Sequence, residues 1–176
     1  VVYKALAKIL VNRLKPFLSK CISKNQSAFV LGRQIIDNVI ISHELLHFLK
    51  NKRQGRVGMM AVKLNMSKAY DRVEWDFLKA IMERMGFCTK WISWITACIS
   101  SITYSFNING EQKEFITPTR GIRQGDPLSP YLFLMCSEGL SNLLQKAKMG
   151  KQLTGVKISR GAPAITHLFF ADDSLV

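Results

Sequence analysis

The sequence has no C-x-x-C pair, no long apolar run and little negative charge, and each shortage narrows what the chain can do. Its four cysteines, Cys21, Cys88, Cys98 and Cys136, are scattered through apolar stretches, as reduced core thiols in a cytosolic or nuclear protein would be. No apolar segment approaches the ~18 residues of a membrane span, and the stretch from Trp91 to Ile102 is broken by Ser and Thr, so no membrane insertion is expected. No secretory signal is visible, so the sequons at Asn25 and Asn65 need no glycan. Internal repeats and low-complexity linkers are also missing.

Acid is outnumbered about two to one by base: 12 Asp and Glu face 25 Lys and Arg, a net charge of +13 that favours a polyanionic partner, nucleic acid first. Apolar residues are plentiful enough, at 48% of 176, to bury a core in one domain or two small lobes. There is no initiating Met, Val1 opens into an amphipathic pattern, and Val176 closes inside an apolar run, so the chain reads as a fragment.

From Tyr3 to Phe17 the residues Leu6, Ile9, Leu10, Leu14 and Phe17 fall at helical spacing, with Lys4, Lys8, Arg13 and Lys15 opposite. A second helix is predicted from about Ile35 to Lys50, using Ile36, Val39, Ile40, Leu46 and Leu49. Met59 to Asn65 alternates as a strand with Met60, Val62 and Leu64 on one face. A helix starts near Glu74, uses Trp75, Leu78, Ile81, Met82 and Met85, and stops at Gly86; another covers Trp91 to Ile99. Tyr104, Phe106 and Ile108 lead into Asn109-Gly110, the dipeptide of a two-residue hairpin, with Phe115 and Ile116 returning. Residues 118–126 are loop. Ser129 is the expected N-cap, Pro130 the first position, of a helix to about Lys148. Two strands follow, around Leu153 to Ile158 and Thr166 to Ala171. The tryptophans 75, 91 and 94 and the methionines at helical spacing read as core.

Chemistry concentrates at Leu168-Phe169-Phe170-Ala171-Asp172-Asp173-Ser174-Leu175-Val176, where apolar flanks would hold two adjacent carboxylates at a hairpin tip. A solvated Asp-Asp turn is the plain alternative. Arg33, Arg120 and Arg123, with the lysines of the first helix, could grip phosphates through their forked donors, or could be a solvated basic face. His43-Glu44-Leu45-Leu46-His47 matches the H-E-x-x-H pattern of zinc proteases, a third functional reading, but no convincing third ligand follows.

Two further blocks decide among these: Lys63-Leu64-Asn65-Met66-Ser67-Lys68-Ala69-Tyr70-Asp71-Arg72-Val73 and Arg120-Gly121-Ile122-Arg123-Gln124-Gly125-Asp126-Pro127-Leu128-Ser129-Pro130. With Gln26-Ser27-Ala28-Phe29-Val30-Leu31-Gly32-Arg33 and the F-A-D-D segment, they resemble, in order and spacing, the reverse-transcriptase domain of non-LTR (LINE-type) retrotransposons, plant ones especially. The resemblance spans essentially the whole chain. It implies an α+β fold, a right-hand polymerase palm with an antiparallel sheet on helices and part of the fingers, the thumb missing: fingers in 1–58, palm in 59–176. It also implies an RNA template, a DNA primer, deoxynucleoside triphosphates and two Mg²⁺ ions, with Mn²⁺ as a substitute, in an intracellular setting.

Residue by residue, the resemblance makes Asp172 the metal ligand of the hairpin and Asp173 its partner. Tyr70 matches the aromatic position that crowds the sugar 2′-OH, and Gln124 and Gly125 the loop beside the incoming nucleotide and template; beside these, charge alone makes Arg33 a candidate nucleotide-binding residue and Arg120 and Arg123 candidate nucleic-acid-binding residues. The family places Asp where this chain has Asn65, and an amide brings no charge to a hard-cation site, so catalysis should fall severely. Asp71 lies beyond the strand and matches a different acidic position; it reads as a cap or ion-pair residue near the helix at Glu74. The alternative to an impaired polymerase is a non-catalytic nucleic-acid-binding remnant.

Overall fold

The computed structural model describes residues 2–53, 55 and 58–176. Its elements run α1 (Val2–Cys21), α2 (Ile35–Asn51), β1 (Lys63–Asn65), α3 (Trp75–Arg84), α4 (Thr89–Ser100), β2 (Tyr104–Ile108), β3 (Glu111–Ile116), α5 (Ser129–Met149), β4 (Leu168–Phe170) and β5 (Asp173–Leu175). The amphipathic opening read from Val1 falls partly outside the described residues. Helices and antiparallel strands are both present, as the α+β reading requires.

Two compact units emerge, Val1–Asn12 with Lys68–Cys136, and Arg13–Ser67 with Ser137–Val176. This division differs from the 1–58 and 59–176 segments read from sequence, because β1 pairs with β5 and so draws residues just before Ser67 to the C-terminal strands.

In the first unit, α3 and α4 pack through Leu78, Met82, Ile92, Ile95 and Ile99. Gly86, at φ +85, ends α3: its N–H reaches Glu83 O, and Phe87 N–H reaches back five residues to Met82 O, the paired bonds that close a helix on a left-handed glycine. β2 and β3 form the expected hairpin, with Asn109 and Gly110 both at positive φ, but every residue of both strands is exposed. The start of α5 differs by one residue from expectation. Leu128 O accepts the first helical bond from Leu132 N–H, so Leu128 is the N-cap, and Asp126 Oδ1 takes the Leu128 N–H at 2.8 Å.

In the second unit, a three-stranded antiparallel sheet has the order β1-β5-β4. β1 is shorter than the predicted strand over 59–65, because pairing holds only where β5 faces it, with one added backbone pair, Val62 to Val176. The strand expected near Leu153 to Ile158 reduces to a single bridge, Val156 to Ile165.

The buried helix faces also need correction. α1 turns Ala7, Leu10, Val11, Leu14 and Leu18 inward and leaves Leu6, Ile9 and Phe17 exposed. α2 buries Asn38 and Leu45, seven residues apart on one stripe, and leaves Ile36, Ile40 and Leu46 exposed. Nor do the tryptophans form a core: Trp94 is exposed beneath Lys90, and Trp75 and Trp91 are half-buried. Of the methionines, Met82 and Met135 are fully buried. All four thiols are free; Cys88 is exposed, whereas burial pushes the Cys136 thiol up to about 12, which keeps it protonated and inert.

Candidate active site

The β1–β5 register sets Lys63 against Leu175, Leu64 against Ser174, and Asn65 against Asp173. Residues directly opposite in an antiparallel pair share a face, so the Asn65 amide and the Asp173 carboxylate project side by side. Lys63, two residues before Asn65, projects from that face too, and its Nζ lies 3.5 Å from Asp173 Oδ1. That oxygen is shielded from solvent and accepts no hydrogen bond among the described residues. Ser174, on the opposite face, is buried.

β4 and β5 are joined by a two-residue turn, Ala171-Asp172, beyond the Phe170–Asp173 pair. Asp172 is exposed in that turn, and Ala171 adopts the left-handed conformation at φ +61. The two carboxylates therefore do stand at a hairpin tip. Among the described residues, no group of three or more His, Cys, Asp or Glu is arranged to hold a metal ion. The face offers one carboxylate, one amide oxygen and a neighbouring ammonium, with the Asp172 carboxylate in the adjoining turn. The Asp173 oxygen, ion-paired with Lys63 but accepting no hydrogen bond among the described residues, fits a cation ligand, and a hard cation can complete its shell with water and substrate phosphates.

The remaining candidates, apart from Arg33, lie in the other compact unit. There the turn after Lys68 is stitched to the 118–126 loop: Gly121 N–H donates to Val73 O at 2.7 Å, and Ile122 N–H to Tyr70 O at 3.0 Å. Trp75 completes the seam, its indole Nε1–H donating to Gly121 O at 2.6 Å. Position 121 must be glycine, since φ is +89 and an added Cβ would come within 3.1 Å of Asp71 O. Tyr70 stacks obliquely on Phe133, ring centroids 5.3 Å apart. Gln124 and Gly125 form an exposed turn closed by Asp126 N–H to Arg123 O. A cavity of about 210 Å³ is lined by Asp71, Tyr104, Arg120 and Arg123 among others, so the two arginines face one space. Arg120 also pairs with Glu74 at 3.2 Å.

Arg33 is placed otherwise than expected. Its Nη1 donates to Ser23 O and Gln26 O, and its Nη2 to Ile22 O at 2.9 Å and Ser19 O at 3.5 Å. Four N–H groups are thus committed to carbonyls at and beyond the end of α1, the place where a helix carries unsatisfied acceptors and partial negative charge. The geometry gives Arg33 a capping role. His43, Glu44 and His47 are exposed along α2; His47 Nε2 shares a hydrogen bond with Asn51, and no third zinc ligand accompanies them among the described residues.

Sequence reasoning missed Trp75, read as core, and the buried polar set around Gln26, Asn38 and His167. The signal available for the latter was Gln26 in the apolar Gln26-Ser27-Ala28-Phe29-Val30 stretch, a polar side chain with no reason to be there unless bonded.

The family model for reverse transcriptase (RNA-dependent DNA polymerase) matches residues 1–176. The chain belongs to the reverse transcriptase family. It is 30% identical over 174 residues to the transposon TX1 149 kDa protein of Xenopus laevis, covering 99% of this chain and 13% of that protein. It is 29% identical over 175 residues to a Pol polyprotein from the type-1 retrotransposable element R2 of Popillia japonica, covering 95% and 24%. A mitochondrial protein of Arabidopsis thaliana is 52% identical over 69 residues, 39% of this chain and 57% of that one. The chain therefore spans only part of the length of each relative. Apo telomerase from Candida tropicalis shares the fold, with TM-score 0.56 and 15% identity over 98% of this chain and 33% of that one. The relatives from R2 elements agree with the non-LTR retrotransposon resemblance of the motifs.

Proposed function

We propose that this reverse transcriptase chain is the fingers and palm portion of an RNA-directed DNA polymerase whose nucleotidyl transfer is impaired by Asn65. The observation that carries the reading is the register that puts Asn65 beside Asp173, next to the turn bearing Asp172. Bound divalent cations would activate a primer 3′-hydroxyl and offset charge on the triphosphate. Asp172 and Asp173 would hold them, and Asn65 would contribute only a neutral oxygen where the family has a carboxylate. Lys63 lies against Asp173 and adds positive charge to the same face, which further lowers its pull on a cation.

In the other unit, Tyr70 is held by its backbone seam to the 118–126 loop and by its ring against Phe133, as a residue that limits the sugar's shape must be. Gln124 and Gly125 form an exposed turn, with open space where a Cβ at Gly125 would stand, and Arg120 and Arg123 supply guanidinium groups for phosphate oxygens. The partners of this reading are an RNA template, a DNA primer and deoxynucleoside triphosphates, in an intracellular setting.

The test is primer extension on an RNA template, comparing the chain with Asn65→Asp, each joined to a downstream polymerase segment. The Asp form should be faster by more than the ~10–100-fold that even outer-shell changes at metal sites produce. Equal rates would overturn the impairment. Salt-sensitive RNA binding without extension by either form would favour the binding remnant instead.

A further inference from the structure

Gln26 is fully buried, with 0% of its surface exposed, and takes no part in the chemistry proposed above. Its Oε1 accepts two backbone N–H groups, from Ala28 at 2.9 Å and from Ala171 at 3.3 Å. Two donors converging on one atom fix the amide with its oxygen toward them. Nε2 is left buried and without a hydrogen-bond partner among the described residues. Such an orphan is costly, and the fold tolerates it to keep the oxygen where it is.

What that oxygen holds is the first residue of the acidic turn. The ladder ends at the Phe170–Asp173 pair, so Ala171 and Asp172 have no cross-strand partner, and Ala171 sits at φ +61, which a Cβ disfavours. The preceding residues are clamped as well. Phe169 N–H donates to Asn25 O at 2.8 Å, and Gln26 bridges Phe169 in parallel. The buried Asn38 amide donates to both Asn25 O and Phe169 O, at 2.8 and 3.0 Å. Residues 25 and 26 thus act as a fourth edge on β4, and the Gln26 side chain reaches on to the turn itself.

We propose that Gln26 is a positioning residue for the acidic turn: by holding the Ala171 N–H, its Oε1 sets where Asp172 and Asp173 stand for cation binding. The proposal rests on the reading of those aspartates as cation ligands. A residue that only filled space in the core would be replaced with little consequence by Met, which has similar volume and only a weakly accepting sulfur. A positioning residue would be replaced best by Glu, which keeps an acceptor oxygen in the same place, at the cost of burying its carboxyl group.

The experiment uses the full ¹⁵N-labelled chain carrying Asn65→Asp, titrated with Mn²⁺ while the broadening of the Asp172 and Asp173 amide signals and the exchange of the Ala171 amide are followed. Adding Gln26→Met should speed Ala171 exchange about tenfold, the upper range for losing one hydrogen bond, and weaken Mn²⁺ binding by a similar factor. Amides of α3 and α4 should not change. Gln26→Glu should restore both readouts.

Mn²⁺ binding that is equally tight with Gln26→Met overturns the proposal and leaves the polymerase reading intact. Absence of Mn²⁺ broadening at Asp172 and Asp173 with Gln26 present overturns the cation reading, and the cation-positioning role with it. Should Gln26→Met fail to fold, the unmodified chain decides: a protected Ala171 amide beside a freely exchanging Asp172 amide supports the hold, and free exchange at Ala171 refutes it.

Discussion

Asn65 and Asp173 face each other across the β1–β5 ladder, with the Lys63 ammonium 3.5 Å from the Asp173 carboxylate on the same face. The cluster as it stands carries one negative and one positive charge, so it is electrostatically satisfied without a cation. A carboxylate at position 65 would change that balance, setting two like charges directly opposite in a ladder.

Asn65→Asp should therefore lower stability in the absence of divalent cations and recover it when they are added. Like charges directly opposite cost roughly 0.2–1 kcal/mol, screened here by partial exposure, which for a chain of this length is a fall of up to about 4 °C in Tm. Mg²⁺ or Mn²⁺ should restore the Tm of the Asp form in proportion to the logarithm of concentration and leave the unmodified chain nearly unmoved. Differential scanning fluorimetry in EDTA and in millimolar Mg²⁺ checks this; identical cation responses would contradict it.

The acidic turn, β1 and the 118–126 loop were legible in the sequence because each is written in local terms: alternation, a two-residue turn, a left-handed glycine. The inward faces of α1 and α2 were not. Apolar periodicity alone picks Ile36 and Ile40, whereas the stripe that α2 buries runs through Asn38, whose amide bonds the backbone of Asn25 and Phe169. The cap made by Arg33 was illegible for a related reason: its partners are main-chain carbonyls, and no side-chain pattern announces them.

His167 gives a pH dependence with a defined sign. It is 1% exposed and bonded through Nε2 to Asn25 and Ser141 and through Nδ1 to Thr166, and burial, aided by Lys148, lowers its pKa from 6.5 to about 4. Between those values the unfolded chain binds a proton that the folded chain does not. Stability is thus complete above pH 6.5 and declines as pH falls toward 4, by up to about 3 kcal/mol. The Glu138 carboxyl, raised by burial, acts in the opposite sense, so the comparison must isolate the histidine. Urea midpoints at pH 7 and pH 4.5 should differ more in the unmodified chain than in His167→Gln; equal differences would remove His167 as the cause.

The seam around Gly121 predicts two graded losses. Trp75→Phe keeps the ring and removes the N–H that reaches Gly121 O, at a cost of about 1 kcal/mol. Gly121→Ala meets both a positive φ and a backbone contact at 3.1 Å, and should cost roughly 2–4 kcal/mol. Denaturant midpoints should rank unmodified, Trp75→Phe, Gly121→Ala in falling order.

The arginines separate into two jobs that salt can distinguish. Arg33 spends four N–H groups on the carbonyls at and beyond the end of α1, and its guanidinium is desolvated, with a lowered pKa. Arg33→Gln should accordingly cost stability, on the order of 1.5–3 kcal/mol for charged hydrogen bonds, without altering how RNA affinity responds to salt. Arg120 and Arg123 are exposed and face one cavity. Replacing either by Gln should leave the denaturant midpoint within about 0.5 kcal/mol and reduce the slope of log affinity against log salt by about 1 each, the signature of one lost phosphate contact. Fluorescence anisotropy with a labelled RNA at four salt concentrations measures the slopes. If Arg33→Gln flattens the slope in a chain that remains folded, the cap is also a phosphate contact; if Arg120→Gln and Arg123→Gln do not, their cavity lies off the nucleic-acid path.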